Sequence, residues 1–136
     1  YLTDKFYIKK PKTMLLASHI LTALVALIHL YIVWLEMFAW TTRGKKVFKN
    51  FPAHLFEPTK ALAANQGLYN GFLAAGLIWS FFITDLTWQM NVRYFFLGCV
   101  AVAGIYGAAT ADKKILFVQT VPALATIVSV MLSSPA

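Results

Sequence analysis

The stretch that decides the fold is Met14–Ala39, which reads MLLASHILTALVALIHLYIVWLEMFA. It is an almost unbroken apolar run, and Glu36 is the one Asp, Glu, Lys or Arg inside it, beside two histidines, His19 and His29. At about 1.5 Å per residue, a helix over this run is longer than the hydrocarbon core of a bilayer, which is about 30 Å thick. We therefore predict a first transmembrane helix here that tilts or protrudes.

Three further apolar runs follow, and each is long enough to cross a bilayer. They cover about Ala61–Phe82, Val92–Thr110 and Ile115–Leu132. A helix satisfies its own backbone in lipid, and the chain lacks the alternation of polar and apolar residues that a membrane strand requires. The sequence predicts an all-α fold, an integral membrane four-helix bundle with short loops and a basic first connection. The bundle is expected over residues 13–133, after a tail formed by residues 1–12.

The composition excludes several other classes of protein. The 136 residues are 60% apolar and only 12% charged, with a net charge of +7. The Lys and Arg residues lie in the tail and the connections rather than in mid-span, as membrane insertion requires, so no nucleic-acid partner is predicted. The single cysteine, Cys99, and three scattered histidines have no metal-ligand spacing, so neither a metal nor a cofactor is predicted.

The first connection, residues 41–60, is the longest and the most polar. Val47, Phe48, Phe51 and Leu55 fall at helical spacing with lysines between them, so a short interfacial helix and an ordinary basic loop are both open. Aromatic side chains are expected to mark the membrane interface at this end, and they are Trp40, Phe48, Phe51 and Phe56.

Charge bias and small residues predict orientation and packing. The first and third connections carry more Lys and Arg than the opposite side, which places both connections in the cytoplasm and both termini outside the cell membrane. Small residues let helices approach closely. The Gly67/Gly71 and Gly104/Ala108 pairs are therefore candidate faces for contacts inside the bundle or for a homo-oligomer.

Strongly polar side chains of the spans gather in the leaflet next to the first connection, where they could meet around one pocket. His29 and Glu36 are seven residues apart on one helical face and are the candidate acid–base groups. Glu36 could instead contact headgroups or Lys45 and Lys46, and His29 could be a hydrogen-bonded core histidine. The candidate ligand-binding side chains are Asn65, Gln66, Tyr69, Asn70, Tyr106, Thr110 and Gln119, although amides can also simply join helices.

The opposite half of the bundle is expected to be nearly all apolar. Asp85 and Arg93 are assigned to the short connection there, as a solvated pair. His19 lies near the same end, too far from Glu36 to join it.

Several runs of this sequence resemble a known family, the small bacterial four-span membrane proteins catalogued as domain of unknown function 1304. The resemblance covers about residues 14–130. At Ile28 the resemblance leads us to expect a glutamate, which this chain lacks. The runs that carry it are Ile28–Ile32, Leu35–Thr41, Leu62–Gly76, Phe96–Val100, Ala103–Ala108, and Gln119 with Pro122. The resemblance implies the fold and leaves the activity open.

Three hypotheses follow. The first is a pocket for a lipophilic small molecule or lipid, either binding or catalytic; the sequence does not decide whether the protein is an enzyme. The second is a structural or accessory membrane subunit whose amides only fix helix packing. The third is one protomer of a transporter, which the apolar character expected for the opposite half disfavours. In each case the lipid bilayer is the expected surroundings.

Overall fold

The computed structural model describes residues 12–134, and within them all regular structure is helical. The predicted all-α class is confirmed. The predicted tail, residues 1–12, lies outside the described residues except for Lys12, which begins the first helix. The α-helices are α1 (Lys12–Phe38), α2 (Lys45–Val47), α3 (Lys60–Ser80), α4 (Leu86–Thr110) and α5 (Val121–Ser133). A 3₁₀ turn covers Ala53–Leu55, and π-helical turns cover Trp40–Gly44 and Leu116–Thr120, the latter leading directly into α5.

Local sequence explains where two of these helices begin. Asp85 caps α4, because its carboxylate accepts a hydrogen bond from the Trp88 backbone N–H at 2.8 Å. Pro122 lies in the first turn of α5, where a missing N–H leaves no helical hydrogen bond unmade. The cap makes α4 begin six residues before the predicted start at Val92.

The long helices form a bundle in which α1 packs on α3 and α5, and α4 packs on the same two helices. The α1–α3 pair is antiparallel, since Gly67 lies beside Met37 while Gly71 lies beside Val33. The connections α1–α3 and α4–α5 therefore lie at one end, called the loop-1 end, and the α3–α4 connection lies at the other, called the loop-2 end.

The small residues named above pack within the chain. A Cβ built on Gly67 would lie 3.0 Å from the Glu36 Cβ. A Cβ built on Gly104 would come closer still to Thr120, whereas one built on Gly71 would be in ordinary contact with Val33. The homo-oligomer remains a prediction, but the faces at Gly67 and Gly104 are already occupied by α1 and by the segment that leads into α5.

Three helical segments are long and apolar enough to cross a membrane: Lys12–Phe38, Leu86–Thr110 and Leu116–Ser133. The helix α3, which corresponds to the predicted second span, is not among them. Its first half carries Lys60, Asn65, Gln66 and Asn70, which lower its apolar character. A fourth span therefore stays a prediction.

The first connection is neither a single interfacial helix nor an extended basic loop. It folds as short turns around four aromatic rings, and the Trp40 ring lies 5.0 Å from the buried Phe56 ring, centroid to centroid. Phe48 and Phe51 contact the Trp40 ring as well. The Trp40 indole N–H donates to the Thr59 hydroxyl at 3.0 Å, which ties the end of α1 to the start of α3.

Candidate functional site

A buried carboxylate lies between α1 and α3 near the loop-1 end. Glu36 is 6% exposed, and its Oε2 accepts a hydrogen bond from the Asn70 side-chain amide at 3.0 Å. Among residues 12–134, Glu36 forms no ion pair, and its Oε1 accepts no hydrogen bond. Lys45 and Lys46, the alternative partners considered from the sequence, are exposed in α2. Glu36 thus keeps one free acceptor oxygen beside a single neutral partner, in an arrangement called here the Glu36–Asn70 site.

The local sequence explains how this pair forms. Gly67 has no side chain, so the α1 backbone at Met37 approaches α3 closely at this level. Asn70 lies one turn further along α3, and its amide also donates to the Gln66 carbonyl at 3.2 Å. This second bond holds the amide group against α3 with its nitrogen directed at Glu36.

His29 lies on the same face of α1 as Glu36 but about 10 Å further along the helix. It is fully buried, and its Nδ1 lies 2.8 Å from the Val25 carbonyl oxygen. A carbonyl oxygen only accepts, so Nδ1 carries the proton and Nε2 is the acceptor of the neutral ring. Within the described residues Nε2 has no hydrogen-bond partner. His29 therefore behaves as a core histidine with one unused acceptor, out of reach of Glu36.

The other predicted ligand-binding residues fall into two groups. Asn65, Gln66 and Tyr69 lie on the exposed surface of α3 around the Glu36–Asn70 site. Tyr106 and Thr110 are exposed on α4, and Gln119 is half-buried with its Cβ beside Gly104.

The structure therefore does not gather all the predicted residues around one pocket. Tyr106 is 71% exposed, because the face of α4 that carries it is turned away from the bundle. That face lines an open apolar groove of about 630 Å³. Its lining residues are Phe95, Gly98, Cys99, Val102, Ala103 and Tyr106. The Thr110 hydroxyl donates to the Tyr106 carbonyl at 2.7 Å, so it serves its own helix.

A second polar group, at the loop-2 end, was missed by the sequence reasoning. The predicted solvated pair of Asp85 and Arg93 is wrong: Asp85 caps α4, and Arg93 is 1% exposed. The Arg93 Nε–H donates to the Ser80 hydroxyl at 3.1 Å, and the guanidinium lies 4.8 Å from the centre of the Phe81 ring. An arginine two positions inside a predicted span is itself a sequence signal for such a site.

The interior of this half is also more polar than the sequence predicted. Buried polar side chains come from all four long helices: Ser18, Thr22, Ser80, Gln89, Arg93, Thr126 and Ser129. Most of the hydroxyls bond to a carbonyl of their own helix, as Thr22 does to Ser18 at 2.6 Å. The apolar residues of this half therefore lie largely on the outside.

Comparison with known proteins decides the family. The family model described as "Protein of unknown function (DUF1304)" matches residues 23–131. The chain belongs to this family. It is similar to the uncharacterized protein YpaA of Lactococcus lactis subsp. lactis (strain IL1403), with 31% identity over 118 residues, which cover 85% of this chain and 98% of that protein. No solved structure matches the chain significantly.

The family match includes every residue of both polar groups described above except Ser18 and Thr22. Glu36, Asn70, Ser80 and Arg93 all lie inside residues 23–131. Within residues 12–134 no group of three or more His, Cys, Asp or Glu side chains is placed to hold a metal ion.

Proposed function

We propose that this DUF1304 protein is a multi-pass membrane protein that binds the polar end of a lipophilic small molecule or lipid at the Glu36–Asn70 site. The observation that carries the proposal is the buried Glu36 carboxylate, which has one neutral hydrogen-bond partner and one free oxygen.

The distribution of side chains supports membrane placement. Small and hydroxyl side chains, such as Thr22, Ala74 and Ala123, are fully buried, while Leu27, Phe95 and Val128 are exposed on the outer surface. Water would disfavour so much exposed apolar area, whereas hydrocarbon accepts it. In hydrocarbon, helices associate through small residues and hydrogen bonds, and this interior contains both, together with large apolar side chains such as Leu77 and Leu97.

The fourth span is part of the proposal. The helix α3 packs against both α1 and α4, so a bundle that crosses the membrane through α1 and α4 carries α3 with it. Asn65 and Gln66 lie within two turns of Lys60 at the loop-1 end, where headgroups and water can solvate them. The charge bias favours a cytoplasmic loop-1 end in the cell membrane.

The site favours a ligand whose polar end donates hydrogen bonds. A carboxylate oxygen accepts, so a hydroxyl or an ammonium group would satisfy Glu36 Oε1. Tyr69 and Phe72 are exposed on α3 beside Asn70, and their ring centroids are 6.1 Å apart. They would contact the apolar body of a molecule that approaches from the lipid side.

The geometry supports binding and gives no support to shared acid–base chemistry. Glu36 and His29 are separated by about 10 Å along α1, which is too far for a direct proton transfer. A structural or accessory subunit remains the alternative, in which the Glu36–Asn70 bond only joins α1 to α3.

Adding lipid back to the delipidated protein tests the proposal. A total lipid extract should raise the thermal unfolding midpoint of the wild type in detergent, because a ligand that binds only the folded state stabilises it. The increase should be smaller in Glu36→Gln and unchanged in Asn50→Ala, which removes an exposed amide of the first connection. Equal increases in all three proteins would support the accessory-subunit alternative instead.

A further inference from the structure

The guanidinium of Arg93 is enclosed at the loop-2 end without a counter-charge among residues 12–134. Nε donates to Ser80, while NH2 is buried and has no hydrogen-bond partner within the described residues. The side chain as a whole is 1% exposed. The Phe81 ring supplies a cation–π contact, which is weaker than a paired anion.

An unpaired buried charge is costly, and an arginine of this kind indicates a missing anion. A guanidinium keeps its charge in proteins and presents its N–H groups as a planar fork. With Nε occupied by Ser80, the two terminal nitrogens remain for a carboxylate or phosphate, which they can bind as a bidentate pair. The Ser80 hydroxyl, which itself donates to the Leu77 carbonyl at 2.6 Å, fixes the direction of that fork.

The position of the guanidinium fits the level of lipid headgroups. Arg93 is seven residues after the start of α4, about 10 Å along the helix, and its side chain reaches back to the last residue of α3. Trp79, Phe82 and Trp88 are exposed around the same end. Exposed tryptophans at a helix end are typical of the membrane interface, where phosphate groups lie.

We propose that Arg93, positioned by Ser80, forms an anion site at the loop-2 end that binds a phosphate group. The phosphate could be that of an anionic phospholipid or free inorganic phosphate, since the fork recognises the same oxygens in both. Binding of a phospholipid phosphate rests on the membrane placement proposed above. The Arg93 site itself is separate from the Glu36–Asn70 site.

The test measures apparent affinity from the thermal unfolding midpoint of the delipidated full chain. Three probes are titrated separately: phosphatidylglycerol, phosphatidylcholine and inorganic phosphate. Phosphatidylglycerol should raise the midpoint of the wild type, and Arg93→Gln should weaken this effect about tenfold or more. The matched control is Arg43→Gln, which removes the same charge from an exposed position of the first connection.

Two further variants keep the test decisive if Arg93→Gln does not fold. Arg93→Lys keeps the charge and removes the fork, and Ser80→Ala removes the group that positions it. Both should weaken phosphatidylglycerol binding while Arg43→Gln does not.

The three probes also separate the sources of the anion. If inorganic phosphate raises the unfolding midpoint as phosphatidylglycerol does, the site binds free oxyanions. If only phosphatidylglycerol raises it, the site binds a lipid headgroup. An equal response to phosphatidylcholine would show that the phosphate alone, without a net negative headgroup, is recognised. Equal responses of the Arg93 variants and Arg43→Gln, or no response to any of the three probes, would overturn the proposal. Binding lost in Glu36→Gln but kept in Arg93→Lys would support the Glu36–Asn70 site and reject this one.

Discussion

Replacing Gly67 with alanine tests the close approach of α1 and α3 on which the Glu36–Asn70 site depends. The new Cβ would lie 2.7 Å from the Met37 Cγ, 3.0 Å from the Glu36 Cβ and 3.3 Å from the Met37 backbone nitrogen. The Met37 side chain can rotate away, but the other two atoms move only with the α1 backbone. Overpacking of this kind destabilises a fold by about 1–3 kcal/mol.

Gly71→Ala is the matched control, because it makes the same chemical change one turn further along α3. Its Cβ would meet only the Val33 Cγ2, at 3.5 Å, which is ordinary contact. Alanine gains about 0.8–1.0 kcal/mol over glycine in helix propensity, and this gain cancels between the two variants. The difference that remains is therefore the overpacking at Gly67.

The assay is reversible unfolding in mixed micelles, followed by the loss of helical circular dichroism. We expect Gly67→Ala to be less stable than Gly71→Ala by about 1–3 kcal/mol. Gly67→Ala should also weaken the response to added lipid, since it separates Glu36 from Asn70. Equal stability of the two variants, or a more stable Gly67→Ala, would refute the packing described for α1 and α3.

Three other predictions concern different parts of the bundle. Gly76→Ala should lower the free energy of unfolding by about 1–3 kcal/mol, because the new Cβ would overlap the Phe96 ring of α4. Gly98→Ala has open space around the new Cβ and should not lower it, and the unfolding assay described above compares the two variants. Thr59→Val removes the acceptor of the Trp40 indole N–H and should lower stability by about 0.5–1.5 kcal/mol, with a shift in tryptophan emission; unchanged emission would contradict that hydrogen bond. Cys99 is half-buried on the outer side of α4, a face that lipid should cover. A charged maleimide should therefore not label it in intact liposomes but should label it in SDS. Rapid labelling in liposomes would show that this face is in water.

The long helices could be predicted from the sequence because apolar length has a direct physical consequence in lipid. The residues at which the helices begin and end are harder to predict from the sequence. The helix α4 begins at Leu86 rather than Val92, since the Asp85 cap starts it within a polar stretch that hydropathy alone excludes from the span. Because the predicted start at Val92 puts Arg93 at the very edge of the span, the sequence favoured assigning it to the connection.

The site could be predicted only in part, because neither the tilt of a helix nor its rotation about its own axis follows from the sequence. Helical spacing predicts Glu36 and His29 on one face of α1, and both are buried there. It predicts Asn70 at the deeper level of His29, whereas the Asn70 amide bonds to Glu36. Nothing in the largely apolar second half of α4 indicates which side faces the bundle. Tyr106, which the sequence predicted to line the pocket, is turned outward.

Native mass spectrometry of the gently extracted protein tests the central claim most directly. The account predicts a reproducible bound mass per subunit in the wild type and in Asn50→Ala, and its loss in Glu36→Gln and Asn70→Ala. A wild type that carries no bound molecule, or one that Glu36→Gln retains in full, would contradict a ligand site at Glu36 and Asn70.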